Sequence, residues 1–142
     1  MSKYLLPLCI LLILNNCTAK VAETSAKSGK VISVAFDQSE ELAPGQSLSV
    51  GKNTAAFTFL RVVSDSRCPQ GVNCVRAGEA VVQLQRGTAA PEEVIIDTDP
   101  KNLVTLPIEG GKVRLLALDP YPVARVETTP AAYRLRVVVK AP

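Results

Sequence analysis

YRLRVVVK, residues 133–140, is the stretch of this chain with the clearest structural pattern. Its odd-numbered positions are apolar, whereas three of its even-numbered positions carry a charge. The two sets are Tyr133, Leu135, Val137 and Val139 on one side and Arg134, Arg136, Val138 and Lys140 on the other. Because successive side chains of a β-strand point to opposite faces, this period of two predicts a strand with one face in the core.

Shorter runs with the same alternation lie upstream, separated by turn residues that are mostly glycine and proline. The runs cover residues 32–36, 48–50, 57–63, 80–85, 94–96 and 113–118. In the first run Ile32, Val34 and Phe36 share one face. In the last run Val113, Leu115 and Ala117 alternate with Arg114, Leu116 and Leu118. Short strands with regular turns predict an all-β fold, an antiparallel β-sandwich of about seven to nine strands that is immunoglobulin-like in outline.

The composition fits one domain and excludes several kinds of chemistry. The chain has 142 residues, of which 47% are hydrophobic and only 4% aromatic, so its core must be mainly aliphatic. A formal net charge of +3 without a basic run argues against a nucleic-acid partner. The chain has no histidine, and its one methionine is Met1. Histidine catalysis, histidine metal sites and thioether copper sites are therefore excluded, and we expect no cofactor and no metal.

Residues 1–16 are predicted to form a signal peptide of the lipoprotein type. Lys3 supplies a positive charge, and the apolar stretch 5–14 is about half as long as a segment that spans a bilayer. The sequence around Cys17, Leu-Asn-Asn-Cys, resembles a bacterial lipobox, which implies cleavage before Cys17 and its lipidation. Asn16 departs from the small residue of that pattern. Ordinary secretion with cleavage after Ala19 is the alternative.

Residues 17–30 are mostly small and polar, which predicts a flexible tether between Cys17 and a folded domain at residues 31–142. Thr18 is not acidic, so the resemblance to lipoproteins implies sorting to the outer membrane, facing the periplasm, if the cell is Gram-negative. The predicted location is therefore the cell envelope, and a secreted protein is the alternative.

The stretch DSRCPQGVNC, residues 65–74, contains both cysteines of the predicted domain. Two thiols with five residues between them usually pair in an oxidising compartment, so we expect a Cys68–Cys74 disulfide. Closing so short a loop is worth about 2 kcal/mol on chain-entropy grounds.

Three interpretations of this loop stay open. It is a staple that fixes the flanking strands, or a preformed binding loop, or a redox or metal site. The binding loop would present Asp65, Arg67, Pro69 and Arg76, with Arg67 projecting as in small protease inhibitors. The redox interpretation is disfavoured because such pairs usually have C-x-x-C spacing, and a metal needs more ligands than two thiolates.

The same residues carry a family resemblance. Asp65 to Pro69, Gly71-Val72, Cys74 and Ala77 to Ala80 resemble the signature DSRCPxGVxCxWAGxA of a family of small secreted or lipid-anchored bacterial proteins. The later stretch Leu115–Pro122 is similar to that family's LxxLxPYP-like segment. The resemblance implies the fold and the compartment given above, and it implies no activity. Arg76 stands where the family has an aromatic residue.

Other candidate chemistry is weak. Carboxylate pairs occur at Glu40-Glu41, at Glu92-Glu93 and at Asp97 with Asp99, and adjacent carboxylates in predicted loops are typical of a solvated surface. Asp97-Thr98-Asp99 lacks the further ligands of a calcium loop. No serine lies in a Gly-x-Ser-x-Gly motif, so we expect no catalytic residues and no enzymatic activity.

The sequence as a whole predicts a lipid-anchored envelope protein with a non-catalytic binding or structural role. Its expected partners are the membrane, through the lipid on Cys17, and a protein of the envelope. The alternative is a protease-inhibitor-like module that presents the Cys68–Cys74 loop. A third hypothesis, an enzyme, would need a cleft lined by carboxylates.

Overall fold

The computed structural model describes residues 29–51, 55–99 and 101–142. The predicted signal peptide, the lipidation site Cys17, the alternative cleavage site and most of the tether lie outside these ranges. Within them the chain forms nine strands and one short 3-10 helix, Pro130–Ala132. The strands are β1 Val31–Val34, β2 Ser39–Leu42, β3 Gln46–Val50, β4 Phe57–Asp65, β5 Glu79–Arg86, β6 Glu92–Asp97, β7 Thr105–Ile108, β8 Gly111–Asp119 and β9 Arg134–Lys140. No helix in these ranges is long and apolar enough to cross a membrane.

The strands form two sheets, which confirms the all-β prediction. The five-stranded sheet has the order β1-β3-β4-β5-β6, and the four-stranded sheet has the order β2-β9-β8-β7. β4 and β8 finish at the same end of the molecule, where the Tyr133 hydroxyl beside the start of β9 donates to Asp65 at the end of β4. We call this end the loop end, because the segments after β4 and β8 both lie there.

One apolar core lies between the sheets. Its largest fully buried side chains are Phe57 and Phe59 of β4, and the other members are aliphatic apart from Tyr133. The alternation predicted for residues 133–140 is confirmed, since Tyr133, Leu135, Val137 and Val139 are all buried. Burial of apolar area at roughly 25 cal/mol per Å² makes such a core the main stabilising contribution in a domain of this size.

The prediction of a wholly antiparallel arrangement is wrong at one pair, because β1 runs parallel to β3. The strand between them in sequence, β2, belongs to the other sheet and pairs with β9. The chain therefore leaves the five-stranded sheet, crosses to the second and returns in its original direction. Phe36 was predicted to share a strand face with Val34, which is buried, but Phe36 lies beyond the end of β1 and is 43% exposed.

The alternation predicted for residues 113–118 is interrupted after Leu115 of β8. The pairing of β8 with β9 shifts between Leu115 and Ala117, which leaves Leu116 as an extra residue in a β-bulge. Because one extra residue reverses which face each later side chain occupies, Leu118 is buried in the core instead of Ala117. The bulge also directs Leu116 and Ala117 toward a cleft between the sheets.

Candidate functional site

The loop between β4 and β5 is closed by the predicted Cys68–Cys74 disulfide, whose Cα atoms are 5.9 Å apart. Backbone hydrogen bonds continue the strand pairing into its base, from Ser66 N to Glu79 O at 2.8 Å and from Cys68 N to Ala77 O at 2.7 Å. The loop is thus held both by the sulfur bridge and by its backbone.

Gly78 is needed where this loop returns to β5. Its φ of +72° lies in the left-handed region, and a Cβ atom built there would be 1.9 Å from the Ser66 carbonyl oxygen. Only glycine permits both the backbone angle and the close approach of the two chain segments. The resemblance to the bacterial family includes this glycine, and the structure gives it a physical reason.

A second loop, between β8 and β9, is joined to the first. Gln70 N donates to Pro122 O at 2.9 Å, and Ala124 N donates to Gln70 O at 3.1 Å, so Gln70 and Val123 form an isolated parallel bridge. We call residues 66–78 and 120–129 together the two-loop platform. The bridge makes one unit of two segments that are about fifty residues apart in the sequence.

Arg67 lies beneath the platform, and the prediction that it projects from the loop is wrong. Only 5% of the residue is exposed. Its guanidinium donates to both carboxylate oxygens of Asp65, at 2.8 and 2.6 Å, and to the carbonyl oxygens of Leu118 and Pro120, at 2.6 and 3.1 Å. Burying a guanidinium requires acceptors for its donors, and here the end of β8 supplies them.

Two tyrosines complete this cluster. The Tyr133 hydroxyl donates to Asp65 Oδ2 at 3.1 Å, and the Tyr121 ring lies 5.0 Å from the Arg67 guanidinium carbon, within the range of a cation–π contact. Burial alone would raise the pKa of Asp65, but its hydrogen bonds with Arg67, the Arg67 charge and the Tyr133 hydroxyl together hold that pKa below its ordinary value. Burial and the negative charge of Asp65 raise the pKa of Tyr133, so its phenol stays protonated and continues to donate.

The platform exposes several large apolar side chains. Nine large apolar side chains are exposed among the described residues, and five of them lie on the platform. These five are Val72, Val75, Tyr121, Val123 and Val126. Val75 is fully exposed, although Val75 and Val72 belong to a loop held rigid by a disulfide. Exposed apolar residues are ordinary when scattered, but their concentration on one pair of linked loops is typical of a contact surface.

The other proposed binding residues have different positions. Pro69 is half-buried at the base of the loop, and Arg76 is exposed on the platform. The structure therefore brings Asp65 and Arg67 together as internal supports and leaves Arg76 on the surface. Sequence reasoning missed the role of Val123 and Val126, which belong to a stretch without alternation. The only signal for their loop in the sequence was the family-like stretch Leu115–Pro122 that precedes it.

A cleft of about 250 Å³ lies beside the cluster, between the end of β6 and β8. Ile96, Leu103 and Leu116 contribute to its apolar wall, and Asp97, Asp119 and Arg136 to its polar wall. Two carboxylates thus line the cleft, as the enzyme hypothesis required. Whether either one can take part in catalysis depends on the hydrogen bonds that it already makes.

Both carboxylates of the cleft hold local structure. Asp97 accepts from the Asp99 backbone N–H and the Asn102 amide, each at 2.9 Å, and these contacts lower the pKa of Asp97. Asp119 Oδ2 accepts two hydrogen bonds from Arg136, at 3.1 and 2.7 Å. A lowered pKa is the opposite of what a general acid needs near neutral pH. The described residues contain no group of three or more metal-ligating side chains.

Comparison with known protein families, with curated proteins and with solved structures finds no match to this chain. The resemblance to the bacterial family signature therefore stays a prediction, carried by residues 65–80 and 115–122.

Proposed function

We propose that this chain is a lipid-anchored protein of the cell envelope whose folded part binds, without catalysis, through the two-loop platform. The anchor is Cys17, and the location is the periplasmic face of the outer membrane, with secretion as the alternative. The domain is an immunoglobulin-like sandwich in this proposal, which the two sheets around one core support. The observation that carries the proposal is the exposed apolar surface on loops that are fixed from beneath.

Rigidity of the loops favours a binding role. The disulfide, the Gln70–Val123 bridge and the Arg67 hydrogen bonds all restrict the platform before any partner arrives. A surface that is already ordered loses less conformational entropy on binding. A structural staple alone would explain the restraints, but it would not explain why valines face solvent above them.

The alternatives are supported less well. The protease-inhibitor hypothesis depended on an exposed Arg67, and this side chain is enclosed by Asp65 and the end of β8. The enzyme hypothesis has less support because both carboxylates of the cleft, Asp97 and Asp119, already accept hydrogen bonds from neighbouring groups of the chain. The platform carries only two exposed arginines, Arg76 and Arg125, which is fewer cations than a nucleic-acid site needs.

The anchor is tested by the intact mass of the protein isolated from its own membranes. We expect a chain that begins at Cys17, carries acyl groups and is two hydrogens lighter for the Cys68–Cys74 disulfide. A chain that begins at Lys20 without lipid would contradict the anchor and leave the secreted alternative.

The binding surface is tested by photo-cross-linking in the cell envelope. A photoreactive amino acid replaces Val75 on the platform or, as the control, Ile95, which is half-exposed on the edge strand β6. We expect a discrete cross-linked product from position 75 and none from position 95. Equal yields from the two positions would overturn the platform as the binding surface.

A further inference from the structure

The direction of β1 shows from which side the N-terminal segment reaches the domain. β1 runs parallel to β3, and β3 runs antiparallel to β4, which leads to the disulfide loop. β1 therefore runs away from the loop end, and the segment before Val31 approaches from the side of the platform. Gly29 lies against the Gly45 backbone, beside the residues of β3 that pair with Phe59.

The platform extends farther toward that side than the point where the chain enters. β4 continues for six residues from Phe59 to Asp65 before the platform begins. Two register shifts lie in this stretch, so its partner β5 covers the same distance in four residues, from Leu84 to Ala80. At about 3.3 Å per residue of β5 this is roughly 13 Å. Residues 18–30 of the predicted tether, fully extended, would span at most about 45 Å from the lipidated Cys17. A tether of this length lets the loop end of the domain reach the membrane surface.

The chemistry of the platform matches a lipid surface. Val72, Val75, Val123 and Val126 are aliphatic and exposed, and Tyr121 has the amphipathic ring that is enriched at membrane interfaces. The exposed charged side chains on the two loops are Arg76, Arg125 and Glu127. Two of them are positive and one is negative, so the platform has an excess of positive charge. Arginine binds phosphate groups, and anionic lipids attract cations near the surface.

We propose that the two-loop platform docks onto the anionic phospholipid surface to which the chain is tethered, with its valines in the interface and its arginines at the phosphates. The inference rests on the proposed lipid anchor and names the component that the proposed binding surface contacts. Contact through a few valines is weak by itself, but the tether holds the platform at a high effective concentration near the membrane. The anchor and the platform would then fix the orientation of the domain together.

Tryptophan fluorescence tests this directly, because the chain contains no tryptophan. Val75→Trp places a probe on the platform, Val126→Trp places a second one on the other loop, and Ile95→Trp serves as a matched exposed control. Each full-length lipoprotein is reconstituted into vesicles of phosphatidylethanolamine and phosphatidylglycerol, with and without lipids brominated on the acyl chains. We expect a blue shift and at least twofold stronger quenching for both platform probes than for Ile95→Trp.

The charge requirement is tested with Arg76→Glu combined with Arg125→Glu in the Val75→Trp chain. We expect the quenching to fall, and to fall likewise when phosphatidylcholine replaces phosphatidylglycerol. Equal quenching at all three probe positions, or quenching that is unaffected by either change in charge, would overturn the proposal.

The two proposals can fail separately. If Val75 cross-links to an envelope protein and Val75→Trp is not quenched, the platform binds a protein, and the lipid inference is wrong. If position 75 neither cross-links nor is quenched, the proposed binding surface is wrong as well. The intact mass decides the anchor independently of both results.

Discussion

Arg67 is the residue on which the two loops of the platform depend. It belongs to the first loop, yet two of its hydrogen bonds go to carbonyl oxygens of Leu118 and Pro120 at the base of the second. Its charge is balanced by Asp65, which also accepts from Tyr133 at the start of β9. Arg67 and Asp65 together thus connect the ends of β4 and β8 and the start of β9, which lie in different sheets.

Removing the Arg67 guanidinium should destabilise the fold strongly. Arg67→Ala removes the positive partner of the Asp65 carboxylate and the guanidinium donors of two carbonyl oxygens. Breaking a buried pair in this way costs about 3 kcal/mol. Arg67→Lys keeps the charge and loses the forked donors, so we expect a smaller loss. Urea unfolding gives the free energy of unfolding of each variant.

Arg136→Ala is the matched control for this prediction. It breaks a pair with Asp119 in which both side chains are about 40% exposed. We expect a change within about 1 kcal/mol, as for surface ion pairs. If Arg67→Ala and Arg136→Ala lower the free energy of unfolding equally, the buried pair of Arg67 and Asp65 stabilises the fold no more than an exposed pair does, and the prediction is wrong.

Asp65 makes the stability depend on pH in the acid range. The pKa of Asp65 is lowered in the folded protein, whereas an unfolded aspartate titrates at about 3.9. Its stabilising contribution is therefore complete above the unfolded pKa and is lost as the pH falls through the folded one. Asp65→Asn should be less stable than the natural chain at neutral pH, and the gap should shrink toward about pH 2. A gap that stays constant in urea unfolding at each pH would contradict this.

At the scale of single elements, the bulge in β8 decides which leucine is in the core. Leu118 is 2% exposed, whereas Leu116 lies half-buried on the cleft. The same substitution at the two positions separates their roles. We expect Leu118→Ala to cost about 3 kcal/mol through the cavity it leaves and Leu116→Ala to cost clearly less. Similar losses in chemical denaturation would mean that the bulge does not shift the faces of β8.

The disulfide loop should lose order locally when its cysteines are replaced. Cys68→Ser combined with Cys74→Ser should cost about 2 kcal/mol. We also expect faster hydrogen exchange at the Gln70 and Ala124 amides, which form the bridge between the loops. Exchange that speeds up equally at these amides and at the Val137 amide in the core would show that the disulfide stabilises the whole fold and does not specifically order the platform.

The elements that the sequence did not predict are the edge strands of the smaller sheet. β2 is Ser-Glu-Glu-Leu and β7 is Thr-Leu-Pro-Ile, and neither shows the extended alternation of β9. An edge strand tolerates charge and proline because one of its sides lacks a partner strand. The same residues interrupt the apolar alternation from which a strand is predicted, so edge strands are harder to predict from the sequence. The strands with two neighbours, such as β9, β5 and β4, were predictable because their inner faces must be apolar.

The candidate site was predictable only in part, for a related reason. The Cys68–Cys74 disulfide follows from local spacing, and the pairing is confirmed. The position of Arg67 depends on acceptors that lie 51 and 53 residues later in the sequence, and only the folded chain brings them near. Local patterns therefore predicted the disulfide and missed which side of the loop the Arg67 side chain occupies.

At the scale of the whole molecule, the two ends of the sheets differ in character. The loop end carries the disulfide, the buried ion pair and the exposed valines. At the other end the chain turns back on itself in short connections, and Lys140 pairs there with Asp37. The apolar exposure of the domain is thus concentrated at the end that the predicted tether approaches.

The domain should fold without the segment that precedes it. Every member of the core lies between Val34 and Val139, and Gly29 and Lys30 add backbone contacts only at Gly45 and Ser47. A chain of residues 29–142 should therefore unfold in one cooperative transition, as expected for a single domain of this size. We expect its free energy of unfolding to lie within about 1 kcal/mol of the full mature chain, since surface contacts away from the core contribute little. Urea titrations followed by far-UV circular dichroism measure both chains. A broad or multi-step transition of the shorter chain would show that the N-terminal residues belong to the fold, and the tether would then end earlier than residue 29.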